Sequence, residues 1–124
     1  MIDFSLTDKQ LAVRDMAREL ARRVVAPTIT EYDRRQQMNP EVLPAMREAN
    51  LLGFCIPEEY GGLGTDYISL GLASEELEYA DTSARVILSV HIGLFSLPVL
   101  TWANEAQKRK YLVPTAREEK IATF

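Results

Sequence analysis

Apolar residues recur at Val13, Met16, Ala17, Leu20, Ala21 and Val24, in steps of three and one. That rhythm predicts a helix with one apolar stripe. Arg14, Asp15, Arg18, Glu19, Arg22 and Arg23 fill the opposite face, with Glu19 four residues ahead of Arg23, the spacing of a supporting ion pair. Thr7 and Gln10 have capping-box spacing at the start, where hydroxyl and amide satisfy each other's orphan backbone donors. Pro27 should end or kink the helix, because it lacks an amide proton. A short charged helix through Tyr32 and Arg35 is expected next.

Asn39-Pro40-Glu41 reads as a second start, with a cap, a first-position proline and an acid in the first turn. Its helix should run through Leu43, Met46, Ala49 and Leu52 and stop at Gly53. Asp66 can cap a helix containing Ile68, Leu70, Leu72, Ala73 and Leu77. Asp81-Thr82-Ser83 opens the most apolar segment, from Val86 to Leu97, which is apolar on most faces and therefore central. Pro98 predicts a kink or break there. Asn104 with Gln107 opens an amphipathic helix, NEAQKRKYL, and KIATF, after Pro114 and a charged turn, reads as the beginning of a strand. The pattern predicts an all-α fold, an orthogonal or up-down bundle of about five or six helices, in a single domain over residues 1–124. No internal repeat or linker is visible.

Composition narrows the chemistry. With 124 residues, 47% of them apolar, the chain can bury one core. A formal charge of −4 makes it a poor electrostatic partner for nucleic acid or anionic lipid. The single cysteine, Cys55, excludes an internal disulfide and a cysteine zinc cage, and its apolar neighbours point to a buried thiol. The start MIDFSLTDKQ has no signal-peptide character, and no run of apolar residues reaches the roughly 20 of a membrane span. The expected location is cytoplasmic.

FCIPEEYGGLG, residues 54–64, raises the question of a phosphate loop. Gly62-Leu63-Gly64 is followed by Thr65, Asp66 and Tyr67, so the third glycine of a dinucleotide loop is missing, as is the Lys-Ser/Thr of a P-loop. Glu58, Glu59 and Asp66 would repel phosphate, so the glycines are read as turn formers. His91, the sole histidine, lies between Val90 and Ile92 without an acidic or nucleophilic neighbour, and reads as satisfied or cavity-lining rather than as a base. Glu75, Glu76 and Glu78 read as a solvated or ion-paired face. Trp102 and Tyr111, at helical spacing, read as core or staple rather than as a stacking platform. No metal site and no catalytic machinery is apparent from motifs.

Three stretches in order carry a resemblance: FSLTDKQLAVRDMARELA, EANLLGFCIPEEYGGLGTDYISLGLASEELEYADTS and SVHIGLFSLPVLTWANEAQKRKYLVPTAREEKIATF. Together they resemble the amino-terminal helical domain of the flavin-dependent acyl-CoA dehydrogenases, about the first third of a typical member. The resemblance implies a parent enzyme that removes an α-proton from acyl-CoA with a carboxylate and passes the β-hydride to FAD, giving a 2,3-enoyl-CoA. It implies reoxidation by electron-transferring flavoprotein and a homotetramer of three-domain subunits. The catalytic glutamate and most of the FAD site would lie in the middle and carboxy-terminal domains, outside this chain. By the same resemblance Ser89, Val90, His91, Leu94 and Phe95 line the end of the acyl pocket, and Phe124, at the start of a strand leading into a β-domain, touches the cofactor. PEEYGGLG corresponds to an accessible connector between helices. Glu118 departs from the family pattern, which commonly has glycine there, and Thr123 stands near a usual small residue.

Taken as a fragment of such an enzyme, the isolated chain is expected to be inactive, to hold no FAD tightly and to self-associate through exposed apolar surface. A stand-alone helical interaction module without redox function is the alternative, and a split enzyme completed by another polypeptide is a third.

Overall fold

The computed structural model describes residues 1–123, all of whose regular structure is helical, in six helices. Helix α1 runs from Asp8–Leu20 through a widened π segment, Ala21–Val25. It is followed by α2 (Ile29–Arg34), α3 (Val42–Glu48) and α4 (Tyr67–Ala80). Helix α5 spans Thr82–Trp102 without interruption, and α6 covers residues 105–116.

The predicted starts are found where local side chains make them. In α1 the Gln10 amide N–H donates to Thr7 Oγ1 at 3.3 Å, and the Gln10 side-chain oxygen accepts from the Thr7 amide at 2.9 Å. The other end of Gln10 donates to Asp66 Oδ2 at 2.7 Å, while Asp66 Oδ1 caps α4 by accepting from the Ser69 amide at 2.8 Å. One glutamine therefore joins two helix starts through a bond between residues 56 apart. Arg18 closes the same pair of helices with two bonds to the Glu76 carboxylate, at 3.0 and 2.6 Å. Between these polar fasteners the stripe of Val13, Ala17, Leu20 and Ala21 meets Ala73 and Leu77 in the main core, together with Met46, Leu51, Phe54, Leu88 and Ile92. Asp81 caps α5, and Asn104 with Gln107 forms a complete capping box on α6.

Three helix boundaries differ from expectation. Helix α3 begins at Val42 rather than Pro40; Asn39 Oδ1 accepts from the Glu41 N–H at 2.9 Å in the turn before it, while its amide nitrogen ties the chain back to Val24 O and Thr28 Oγ1 at the end of α1. It ends at Glu48, before Gly53: Asn50 takes a left-handed conformation (φ 52°), the Leu51 N–H donates to Met46 O and the Asn50 N–H to Arg47 O. This is a Schellman stop, completed by the buried pair Leu51 and Met46. Pro98 does not break α5, which runs on through it; the turns just before it, Ser89–Ser96, are widened. There the Leu97 N–H reaches Ile92 O and Ser96 Oγ donates to His91 O at 2.8 Å, so the carbonyls near the proline ring keep partners.

As one piece, α5 is long and apolar enough to cross a bilayer by length and composition, which a pattern split at Pro98 does not register. Its side chains engage the rest of the protein, however: His91 and Ser96 are fully buried and hydrogen-bonded. The strand expected at KIATF is absent from its described residues, 120–123. An extended segment needs a neighbouring strand for its ladder, and no other strand is described.

The glycine-rich stretch is a turn. Gly61 and Gly64 have φ of 94° and 59°, and the Gly64 and Thr65 amides donate back to Ile56 O and Phe54 O, both at 2.9 Å. A Cβ at Gly62 would penetrate the carbonyls of Ile56 and Gly53, and one at Gly53 the carbonyl of Ala116. Replacing Gly53 or Gly62 by alanine should therefore lower stability by about 2 kcal/mol or more, through overpacking against backbone. Gly71→Ala, in open space within α4, should instead raise it by roughly 0.5–1 kcal/mol. Urea denaturation midpoints of the three variants check the contrast; equal effects would remove the close-approach argument.

Candidate functional site

Helix α5 presents two different surfaces. Ala84, Leu88, His91, Ile92 and Ser96 are buried. Val86, Leu94 and Trp102 are exposed, Leu94 by 51% and Trp102 by 86%, although apolar side chains of this size gain about 1.5–3 kcal/mol from burial. Beside them a cleft of about 290 Å³ opens between α5 and α6, lined by Phe95, Val99, Ala103, Gln107 and Tyr111. The wall is apolar except at Gln107 and the Tyr111 hydroxyl.

The predicted site residues distribute over both surfaces. Leu94 is exposed, Phe95 is half-buried in the cleft wall, and Val90 is half-buried. Ser89 is half-buried, donating to Val86 O at 3.2 Å and accepting from Arg85 at 3.1 Å. His91 lies on the inner side, with no exposed surface. Its Nε2 is 3.2 Å from Thr115 O, and its Nδ1 accepts from the Ala122 N–H at 3.0 Å. Burial holds its basicity below the ordinary histidine range, with the Arg47 charge adding to the effect and the Thr115 carbonyl opposing it. The reading of His91 as a satisfied histidine holds, and a ring engaged on both nitrogens has no free position for base chemistry. Phe124 lies outside the described residues.

Sequence reasoning missed Val99, Ala103, Gln107 and Tyr111 as one surface. Their four-residue spacing was the available signal, obscured by the break between α5 and α6. Trp102 and Tyr111, expected as core or staple, are exposed by 86% and 47%, although Tyr111 lines the α5–α6 cleft with Phe95 and Val99. Glu118, marked in the sequence only as a departure from a usual glycine, is buried, has φ 61° and accepts from the Leu52 N–H at 2.8 Å, a contact that sequence reasoning missed. A left-handed residue explains physically why glycine suits that position. Burial pushes its carboxyl up, against the pull of the Leu52 and Gly53 amides and of Arg47.

Other candidates resolve into structure. Glu76 and Glu78 pair with Arg18 and Arg85. Tyr60 donates to Glu105 at 2.9 Å under the Arg109 guanidinium, 4.8 Å from the ring centre. Among the described residues no three His, Cys, Asp or Glu side chains converge on a metal position. FAD does not fit the glycine turn either: the space over Gly62 is filled by the chain's own carbonyls, and Glu58 and Glu59 form the preceding turn. A cleft of about 530 Å³ elsewhere, between α2 and the α4–α5 junction, has a mixed lining, with polar residues such as Asp33, Gln36 and Asp81 beside Val25, Ile29 and Val42.

Residues 7–119 match the family model described as acyl-CoA dehydrogenase, N-terminal domain. The chain belongs to this family. It is 38% identical over 123 residues to the short-chain-specific acyl-CoA dehydrogenase of Clostridium acetobutylicum, covering 99% of this chain and 32% of that protein. In structure it is similar to butyryl-CoA dehydrogenase from Megasphaera elsdenii, with a TM-score of 0.91, 33% identity and coverage of 97% of this chain and 32% of that one. A chain in the structure of the electron transferring flavoprotein of Acidaminococcus fermentans, concerned with flavin-based electron bifurcation, is similar with the same TM-score, 0.91, at 39% identity. It is covered to 32% of its length, against 97% of this chain. The chain thus spans about a third of the length of the relatives it matches.

Cys55 is the one thiol available for covalent chemistry, and burial pushes it up to about 11. At pH 8 only about one part in a thousand would be thiolate, the reactive form. Ellman's reagent should therefore leave folded protein unlabelled over minutes and label it fully in denaturant. Rapid labelling of the folded form would show that the buried environment is wrong.

Proposed function

We propose that residues 1–124 are the amino-terminal helical domain of a FAD-dependent acyl-CoA dehydrogenase, and that this domain supplies one wall of the acyl pocket. The observation that carries the reading is the open apolar side of α5, where Leu94 stands exposed beside the Phe95 cleft. An acyl chain laid against such a wall gains about 0.8 kcal/mol per buried methylene. Ser89, Val90, Leu94 and Phe95 contribute the wall, with His91 supporting it from behind. In the complete enzyme FAD supplies the hydride acceptor, and Phe124 borders its side. The α-proton goes to a carboxylate outside this chain. Acyl-CoA is the substrate, electron-transferring flavoprotein the electron acceptor, the assembly a homotetramer and the compartment the cytoplasm. The chain alone binds no stoichiometric flavin, is inactive and self-associates through its apolar side.

A chimera tests this, with the chain replacing the matching third of Megasphaera elsdenii butyryl-CoA dehydrogenase. The chimera should retain FAD and oxidise acyl-CoA with an artificial acceptor. Phe95→Ala should shift kcat/KM toward longer acyl chains by about fourfold per added methylene. An active chimera whose chain-length preference ignores positions 94 and 95 removes the wall role. Stoichiometric flavin on the purified 124-residue chain removes the claim that its cofactor site lies elsewhere.

A further inference from the structure

We infer that neutral His91 is the pin holding residues 115–122 on the helical body, and that its protonation frees the Ala122 end of this segment. The pin stands independently of the acyl-pocket reading. A carbonyl can only accept and a backbone amide can only donate, so the two partners of the ring fix its state. Nε2 carries the hydrogen toward Thr115 O, at 3.2 Å, and Nδ1 keeps its lone pair for the Ala122 N–H, at 3.0 Å. Adding a proton at Nδ1 would set two N–H groups head to head in a site where His91 has no exposed surface and Ala122 has 7%.

The other end of the segment is held differently. Glu118 accepts from the Leu52 N–H at 2.8 Å, and Gly53 lies directly under the Ala116 carbonyl. Arg47 of α3 is the charged group that acts on both His91 and Glu118. The two buried groups respond to pH in opposite senses. His91 is held below its ordinary value of 6.5, so the released state binds the extra proton and docking at Ala122 weakens as pH falls below 6.5. Glu118 is held above 4.5, chiefly by burial, so the docked state binds the extra proton, and the same acidification does not loosen this end of the segment. A local release at Ala122 is thereby distinguishable from general acid unfolding.

Amide hydrogen exchange of the 124-residue chain between pH 7.5 and 5, read by NMR, tests the inference. The protection of Ala122 should fall about tenfold per pH unit below 6.5, down to the folded value of His91, while that of Leu52 does not. Imidazole nitrogen shifts at pH 7.5 should show the Nε2–H tautomer. His91→Phe, which keeps ring volume without either bond, should lower Ala122 protection and abolish its pH dependence. If that variant does not fold, the wild-type profile and tautomer decide alone. Protection of Ala122 that tracks Leu52 at every pH, or a ring protonated at Nδ1 at pH 7.5, overturns the proposal.

Discussion

Six consecutive residues, Leu51–Ile56, are buried without belonging to a helix, and the rest of the fold is arranged to make that tolerable. Each buried backbone group in such a run must find a partner outside regular structure or cost about 1–3 kcal/mol. The partners come from far apart. Glu118 takes the Leu52 N–H, Thr65 brings both its amide and its hydroxyl to Phe54 O, and Gly64 donates to Ile56 O. In exchange Leu51, Leu52, Phe54 and Ile56 all reach zero exposure, and the run joins the main core to the smaller cluster of Ile56, Tyr60, Leu112 and Ala116. The glycines of the following turn are needed because the chain must double back closely enough for those bonds to form.

This constraint separates what could be read in the sequence from what could not. Helix starts were legible because their determinants are local: Thr7 with Gln10, Asp66 with Ser69 and Asn104 with Gln107 satisfy amide donors within three residues. The role of the glycine turn was legible for a similar reason, since its acids and its missing third glycine sit beside it. The end of α3 was misplaced because Asn50 can adopt the left-handed stop only with Leu51 pulled into the core. Gly53 looked like that stop, whereas its need is for contact with Ala116, 63 residues on. Nothing near Glu118 announces that it will turn inward to Leu52, 66 residues away.

The candidate wall was legible as apolar, but its sides were not. Periodicity marks α5 as apolar nearly all round, and cannot say which side meets this domain's own core. The structure divides it: His91, expected with Leu94 and Phe95, goes to the inner side, and Trp102, expected as core or staple, goes to the outer. Family membership adds a physical reason for the outer side. The chain covers about a third of its relatives, so an apolar face left open here is the kind of surface that further chain or ligand covers in a longer protein.

The widened turns of α5 make that division possible. Its buried residues Ala84, Leu88, Ile92 and Ser96 recur every four positions, and so do Val86, Val90, Leu94, Pro98 and Trp102 on the more open side. In a regular helix of 3.6 residues per turn each four-residue step overshoots by about 40°, so the buried row would drift about a third of the way round the helix and the open row nearly half. Widening over Ser89–Ser96 puts more residues into each turn there and so offsets part of that drift. The inner row can then follow the core as far as Leu97, which packs against both hydrophobic clusters. The same geometry settles the position of Pro98. A proline next to widened turns, on the exposed row, leaves the buried contacts undisturbed and places Leu94, Pro98 and Trp102 in one row along the open face.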